Sequence, residues 1–335
     1  MLLERTEAPG EHPAGVAIVR SATPAPEDGR ARSILLLLAA SVALLMTGYG
    51  IVLPVFGKRL PELGGGVDAL GFLTMAFAVG QTLFAPISGS FGDRFGRRPV
   101  VLVSLSGIIL ANAAFLVARD VPVYVAIRFV EGAITAGLLP ASMAIVGDLV
   151  PEHRRAKWAG IIMSSYGAGF IFGPAAGGLL YDAFGFAAPF VASAGMGLAA
   201  LLFALVKLPE TRPVRVAPVA AAAEGRAGRI GSLWASLPRP IYVLAMLLYF
   251  DFVGMFAFAF VEPPLVFHIY GTLGYSTTHF GLIISAYGLA MVVGQALLGG
   301  LSDRFARKLA IASGFLLCVP FYLVFILTDQ FAPMI

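Results

Sequence analysis

Nine continuous apolar runs, each about 20 residues long, constrain this chain more than any other feature of its sequence. A helix needs about 20 predominantly apolar residues to cross the hydrocarbon core of a bilayer. Strands of a membrane barrel instead alternate apolar and polar residues over about ten residues, so the continuous runs favour helices. The predicted spans are residues 33–56, 69–90, 99–118, 122–146, 157–180, 187–206, 241–268, 279–301 and 309–328. We therefore predict an all-α, multi-pass membrane protein embedded in a lipid bilayer.

Charged residues support the same class and also predict its orientation. Only 13% of the residues are charged, whereas soluble domains carry about 25%. Of the 23 Lys and Arg residues, 19 fall in the N-terminal tail or in alternate loops, three fall in the other loops, and Arg128 lies inside a span. Because cytoplasmic loops are enriched in Lys and Arg, the tail and the basic loops are predicted to face the cytoplasm. The net charge of +4 then reflects topology, and we expect no binding to nucleic acid.

The sequence contains no recognisable catalytic or metal-binding pattern. Cys318 is the single cysteine, which excludes an internal disulfide and a cysteine-based metal site. The four histidines form no i, i+4 pair, and neither HExxH nor GxSxG occurs. We predict no catalytic residues, no metal and no cofactor.

An internal repeat divides the chain into two halves. A gapless offset of 210 residues superimposes the first spans on the seventh to ninth, and it matches Pro54 with Pro264, Gly64 with Gly274, Asp93 with Asp303, and Arg94 with Arg304. Since 210 residues contain six spans, both halves enter the membrane from the same side, as in parallel repeats.

The repeat also predicts the domain organisation. We predict a disordered cytoplasmic tail (1–32) that is not a signal peptide, a complete six-helix N-terminal bundle (33–206), a cytoplasmic linker (207–240), and three helices of an incomplete C-terminal bundle (241–335). The counterpart of the sixth span would end near residue 416, so spans ten to twelve are expected to be missing.

The loop after the second span carries the most specific pattern, Gly89-Ser-Phe-Gly92-Asp93-Arg94-Phe-Gly96-Arg97-Arg98. It resembles the best-known signature of the major facilitator superfamily, between spans two and three. Its glycines permit a tight turn, and its charged groups can form strong hydrogen bonds. The second copy, which contains Asp303 and Arg304, departs from the pattern at Ala306 and Lys308.

The segment that joins spans four and five, Gly147-Asp148-Leu-Val-Pro151 and onward, resembles the corresponding segment of the same superfamily. That resemblance implies that Asp148 pairs with Arg94 or Arg97 in a gating network at the cytoplasmic face. The alternative is an interfacial acid that is satisfied by water.

Within the fourth span, Arg128-Phe-Val-Glu131-Gly132 resembles a signature of drug/proton antiporters, in which Gln is usual at the position of Glu131. A buried Arg needs a partner, and residues three apart share a helix face, so Glu131 is a candidate partner. The resemblance implies a role in proton and substrate coupling. A purely structural ion pair is the alternative.

In the fifth span, Gly169, Gly173, Pro174 and Gly177 resemble the motif that marks antiporters in this superfamily. Small residues four apart allow close helix packing, and Pro174 is expected to bend the helix. In the first span, Gly48-Tyr49-Gly50 resembles the start of drug/proton antiporters. Tyr49 is therefore a candidate for the substrate cavity, although an ordinary packing role is equally compatible.

The seventh span contributes two acids, Asp251 and Glu262. They are eleven residues apart, which places them on one helix face about 16 Å from each other. Asp251 lies near mid-membrane, where ionisable residues usually mark ion pathways, so we rank it ahead of Glu262 for proton coupling. Glu262 lies nearer the external boundary, where water can solvate it.

These resemblances cover residues 33–328 and imply secondary active efflux by proton antiport with alternating access. The expected substrate is a small amphipathic or drug-like molecule, the driving force is the proton gradient, and the location is the cell (inner or plasma) membrane. Two alternatives remain: a sugar or metabolite symporter or facilitator, and a transport-incompetent remnant that regulates another membrane protein. With three spans missing, we expect weak transport unless another chain supplies the missing wall. The sequence predicts nothing about oligomeric state.

Overall fold

Helices account for the secondary structure of the described part of the chain. The computed structural model describes residues 28–211 and 241–302, together with the single positions 316, 320, 323 and 327. The first half contains α1 (Asp28–Glu62), α2 (Val67–Phe95), α3 (Arg97–Val117), α4 (Val121–Thr135), α5 (Leu138–Leu149), α6 (Glu152–Phe184) and α7 (Ala187–Lys207). The second half contains α8 (Ile241–Phe267), one π-helical turn (His268–Thr272) and α9 (Thr277–Ser302).

Seven helical segments among the described residues are long and apolar enough to cross a membrane, counting α4 with α5 and α8 with its π-helical turn. They correspond to the first seven predicted spans, and α9 occupies the predicted eighth span. The all-α membrane fold is thus confirmed. The predicted ninth span, the tail up to residue 27, and most of the linker lie outside the described residues.

Two helix boundaries differ from the sequence prediction. Helix α1 begins at Asp28, inside the predicted tail, and continues to Glu62 beyond the apolar run, where Arg59 and Glu62 form a salt bridge of 2.5 Å. The fourth span is divided at Ala136–Gly137. Pro140 explains this break, because proline cannot donate a hydrogen bond to the carbonyl four residues earlier and its ring clashes with that carbonyl.

The 210-residue repeat is visible in the backbone. Helix α1 ends at Glu62 and the second-half helix ends at Thr272, while α2 begins at Val67 and α9 begins at Thr277. The turns between them contain Gly64 with φ 75° and Gly274 with φ 67°. Both glycines adopt the left-handed conformation that glycine adopts at no steric cost, so the two turns are equivalent.

The helices of the bundle end on two opposite sides. The linker end is where α2, α5 and α7 end, and the far end is where α1, α3 and α6 end.

One apolar core cluster contains described residues of the first half only, whereas the other joins α1, α2, α3 and α7 with Val266, Ile269 and Phe280 of the second half. Large apolar side chains such as Leu110, Phe172 and Phe260 are exposed on the outside, as expected for a lipid-facing surface.

Candidate functional site

A buried ion pair lies at the centre of the first half. Arg128 and Glu131 are one turn apart on α4, and the distance from Arg128 Nη1 to Glu131 Oε2 is 2.7 Å. The exposed fractions are 0% for Arg128 and 4% for Glu131. Removing two charges from water is costly, and the cost is offset only when the charges are well paired. The predicted pairing of these residues is therefore present in the structure.

Aromatic rings surround the remaining face of Arg128. Its guanidinium carbon lies 4.2 Å from the ring centre of Phe77 and 5.5 Å from that of Tyr49. A cation over an aromatic face is attracted by the ring quadrupole, most strongly where water is excluded. Arg128 Nε and Nη2 make no hydrogen bond with the described residues, so the two rings supplement the ion pair in holding the guanidinium.

Glu262 of α8 completes a cluster that spans both halves. Its side chain is 4% exposed, it interacts electrostatically with Arg128 and Tyr49, and its Oε1 makes no hydrogen bond within the described part of the chain. We call Arg128, Glu131 and Glu262 the buried charge cluster. Two carboxylates and one guanidinium form it, so it holds one more ionisable acid than base.

Asp251 is placed differently from Glu262. Its side chain is exposed on α8, and within the described chain it forms no part of the buried charge cluster. The sequence ranks Asp251 first and expects water around Glu262, whereas the structure buries Glu262 within electrostatic range of Arg128. The two acids share a face of α8 but lie about three turns apart along it, and an eleven-residue spacing alone does not specify which helices pack around each of them.

A series of aromatic rings connects the cluster to the second half. The centre of the Tyr49 ring lies 5.5 Å from that of Phe77 and 6.4 Å from that of Phe170. Phe170 lies 6.5 Å from Phe258 of α8, and Phe258 stacks on Tyr287 of α9 at 5.6 Å. Such rings offer broad apolar faces to a planar ligand. Tyr49 is thus placed where the two halves meet.

The glycines of the fifth span pack α6 against α1. An added Cβ on Gly169 would meet the carbonyl oxygen of Ala43, one on Gly173 would lie 2.8 Å from the carbonyl oxygen of Thr47, and one on Gly177 would lie 3.0 Å from the Cα of Ile51. Pro174 occupies the space beside Gly50 of α1. The predicted close helix packing is therefore present at each of these positions.

At the linker end, the loop after α2 is tied to α5 and α7. Arg97 Nη1 pairs with Asp148 and donates to the carbonyl oxygen of Ala144 at 2.6 Å. Arg98 donates to the carbonyl oxygen of Leu205 at 2.7 Å. Of the two partners expected for Asp148, the structure therefore selects Arg97.

The other residues of this signature are placed less centrally. Arg94 lies over the ring of Phe95 at 5.2 Å, Asp93 is exposed and interacts electrostatically with Arg97, and a Cβ on Gly89 would meet no neighbour within 4 Å. Asp303 and Arg304 lie outside the described residues.

Glu210 belongs to this network and was not found from the sequence. Its carboxylate accepts a hydrogen bond of 2.9 Å from the backbone N–H of Arg97, at the N-terminus of α3. A helix N-terminus favours a negative charge, because its first N–H groups have no partner within the helix. The available signal was an acid four residues after the sixth span, at the start of a linker that carries six Lys and Arg residues.

An apolar crevice of about 490 Å³ lies between α3 and α4. Gly107, Leu110, Val130 and Glu131 are among its lining residues, and Leu110 and Val130 are exposed. Every lining residue belongs to the first half, so the crevice does not connect the two halves.

Sequence comparison assigns this arrangement to a family. The model of the Major Facilitator Superfamily matches residues 35–335. The chain belongs to the major facilitator superfamily. This membership confirms the predictions of a multi-pass membrane transporter for a small molecule and of a protein that is not an enzyme.

Two resistance proteins and one solved structure illustrate the similarity. The chain is 26% identical over 280 residues to Multidrug resistance protein 2 of Bacillus subtilis, covering 83% of this chain and 68% of that protein. It is 30% identical over 302 residues to the class G tetracycline resistance protein of Vibrio anguillarum, covering 84% and 71%. The inward-facing structure of a bacterial homologue of the human lysosomal transporter Spinster matches with a TM-score of 0.74 and 16% identity, covering 92% of this chain and 71% of that one.

Proposed function

We propose that this transporter exports a small amphipathic molecule in exchange for protons. The observation that carries the proposal is the buried charge cluster, in which the Arg128–Glu131 pair of the first half lies within electrostatic range of the buried Glu262 of the second half. Ionisable residues inside membrane spans usually face a cavity and mark ion or substrate pathways. The names of the two resistance proteins support efflux of toxic compounds.

The buried charge cluster and two neighbouring aromatic residues have separate roles in the proposed cycle. Glu262 takes up a proton from one side of the membrane and releases it to the other, since it is the carboxylate without an ion-pair partner. Glu131 neutralises Arg128 and holds its guanidinium in the bundle interior. Tyr49 and Phe170 supply ring faces against which the apolar part of a substrate rests. No cofactor is required, because the proton gradient drives the exchange.

Alternating access follows from the two-half architecture. In parallel-repeat transporters, the site lies between two bundles that move against each other. The cluster and the aromatic series lie on such a boundary. We propose that the network of Arg97, Asp148 and Glu210 stabilises one of the two arrangements of the bundles at the linker end. We also propose that the protein lies in the plasma membrane with its linker end in the cytoplasm.

Everted membrane vesicles that contain the protein test this function. We expect a pH gradient to drive uptake of tetracycline or of a fluorescent amphipathic cation, and we expect Glu262→Gln to abolish this uptake at equal protein levels. Asp120→Asn is the matched control, because Asp120 is an exposed acid at the far end. Uptake that persists in Glu262→Gln would remove Glu262 from proton coupling.

Asp251→Asn decides between the two acids of α8. The sequence predicts that this substitution abolishes proton-driven transport, whereas our proposal gives the main role to Glu262 because Glu262 is buried and Asp251 is exposed. Proton release from purified protein on addition of substrate, measured in weakly buffered detergent, separates the two. Loss of release in Asp251→Asn but not in Glu262→Gln would favour the sequence ranking over the geometric one.

A further inference from the structure

A charged contact at the far end fastens the two halves together. Asp182, near the end of α6, faces the start of α9, and its Oδ2 accepts hydrogen bonds from the backbone N–H of Thr278 at 2.8 Å and from Thr278 Oγ1 at 2.6 Å. The hydroxyl of Thr277 donates to Asp182 Oδ1. A carboxylate of the first half therefore receives three hydrogen bonds from the second.

The contact also completes the N-terminus of α9. Ser276 precedes the helix, and its hydroxyl accepts from the backbone N–H of His279 at 3.3 Å. Asp182 accepts from the N–H of Thr278, another of the N–H groups that a helix leaves unpaired at its start. A negative charge at this position is also stabilised by the helix dipole. Helix α9 is thus capped partly by its own segment and partly by the other half.

A second hydrogen bond joins the halves at the same end. The hydroxyl of Tyr270, in the π-helical turn, donates to the carbonyl oxygen of Pro54 in α1 at 3.0 Å. The Tyr270 ring lies under Lys58 Nζ at 5.3 Å and packs edge-on against Phe280 at 5.5 Å. A Cβ on Gly57 would meet Val266 and this ring. Side chains of both halves therefore fill the space between α1 and the second half.

Close backbone packing extends from Asp182 along α6. A Cβ on Gly178 would meet the carbonyl oxygen of Thr277, and one on Gly281 would meet that of Pro174. Further along, the hydroxyl of Ser285 donates to the carbonyl oxygen of Ile171. Asp182 lies at the exposed end of this seam, where water can replace its hydrogen bonds when the seam parts. The polar groups then need not remain unsatisfied when the contact opens.

We propose that Asp182, Thr277, Thr278 and Tyr270 form a latch that holds the far end closed and that must release for the halves to separate there. The latch uses residues outside the buried charge cluster and outside the signature loops. It makes Asp182 a positioning residue of the transport cycle: it touches neither substrate nor proton, and it sets how readily the far end opens. The proposal rests on the contacts between the halves and does not depend on what is transported.

Cysteine accessibility measures the latch directly. In a Cys318→Ser background, Val266→Cys provides a reporter that is fully buried between the halves at the far end. Asp182 is exposed, so water competes for its hydrogen bonds and weakens them, and we expect Asp182→Ala to raise the maleimide labelling rate of this reporter by about three- to tenfold. Tyr270→Phe, which removes only a hydroxyl, is expected to raise it about two- to fivefold.

Two controls make the outcome decisive. Asp120→Ala removes an exposed acid before α4 that makes no side-chain cap hydrogen bond, and it should leave the labelling rate unchanged. A second reporter, Val101→Cys, is fully buried within the first half, and it should stay protected in every latch variant. Unchanged labelling of Val266→Cys in both Asp182→Ala and Tyr270→Phe would overturn the latch, as would an equal rise at Val101→Cys, which would indicate general unfolding. The double variant Thr278→Val with Asp182→Ala should be labelled at nearly the same rate as Asp182→Ala alone, because both substitutions remove the same contact.

Discussion

At the residue scale, the contribution of the Arg128–Glu131 pair to stability can be separated from its contribution to transport. Both side chains are buried, and breaking a buried pair costs about 3–5 kcal/mol because one charge stays uncompensated. We expect Glu131→Ala to lower the free energy of unfolding by that amount. Replacing both residues, as in Arg128→Met with Glu131→Leu, should restore most of the stability while transport remains lost. Denaturation in detergent and vesicle uptake, measured on the same preparations, check this pair of outcomes.

The double variant decides between the two readings of the pair. A structural ion pair predicts that the double variant recovers transport together with stability. A role in coupling predicts recovery of stability alone, because neither Met nor Leu can exchange a proton or bind a charged group. Full transport by a stable double variant would therefore exclude the coupling role.

Much of this site was predictable residue by residue, and the reason is local. The i, i+3 spacing of Arg128 and Glu131 is a property of one helix, so their pairing followed from the sequence. The choice of Glu262 over Asp251 depends on which helices pack around each part of α8, which only tertiary packing determines. Phe77, Phe170 and Phe258 were not singled out, because 26 phenylalanines occur in the chain and nothing local marks these three.

At the element scale, α6 is the helix whose small residues set the packing. A Cβ on Gly169 would collide with the backbone carbonyl of Ala43, whereas one on Gly160 of the same helix would meet nothing within 4 Å. Overpacking typically costs about 1–3 kcal/mol, so Gly169→Ala should destabilise the protein by about that much. Gly160→Ala should leave stability unchanged or raise it by up to about 1 kcal/mol, because Ala is a better helix former than Gly.

Parallel thermal melts of the two glycine variants provide the measurement. They carry the same chemical change on one helix, so any difference between them reports the space around each glycine. Equal melting temperatures would show that α6 and α1 can move apart without cost. In that case, the antiporter-like glycines would not be explained by close packing.

Helix existence was predictable at this scale, whereas helix interruptions were less so. Continuous apolar runs specify spans because the bilayer requires about 20 residues. The break at Ala136–Gly137 interrupts a run that remains apolar, and the π-helical turn at His268–Thr272 extends the helix beyond the end of an apolar run, so hydrophobicity reveals neither. Pro140 gave a usable signal for the break, since proline disturbs the preceding turn.

At the scale of the whole molecule, the repeat connects sequence to architecture. Gly64 and Gly274 share the same left-handed backbone conformation, so the gapless 210-residue sequence offset matches structurally equivalent turns. The contacts between the halves were not predictable in the same way. Asp182 and Thr278 are 96 residues apart, and no pattern within either segment indicates that they meet.

The charges of the chain predict the orientation of the whole molecule in the membrane, and this is the last prediction. The N-terminal tail and the basic loops carry 19 of the 23 Lys and Arg residues, and because cytoplasmic loops are enriched in these residues, we expect both to face the cytoplasm. The structure places Glu152 at the linker end and Asp68 at the far end, both exposed. In a Cys318→Ser background, a membrane-impermeant maleimide should label Asp68→Cys in intact cells and should label Glu152→Cys only after the membrane is permeabilised. Both substitutions replace an exposed acid near the start of a helix, so their intrinsic reactivity is comparable. Labelling of Glu152→Cys in intact cells, with protection of Asp68→Cys, would reverse the orientation and place the network of Arg97, Asp148 and Glu210 on the outside.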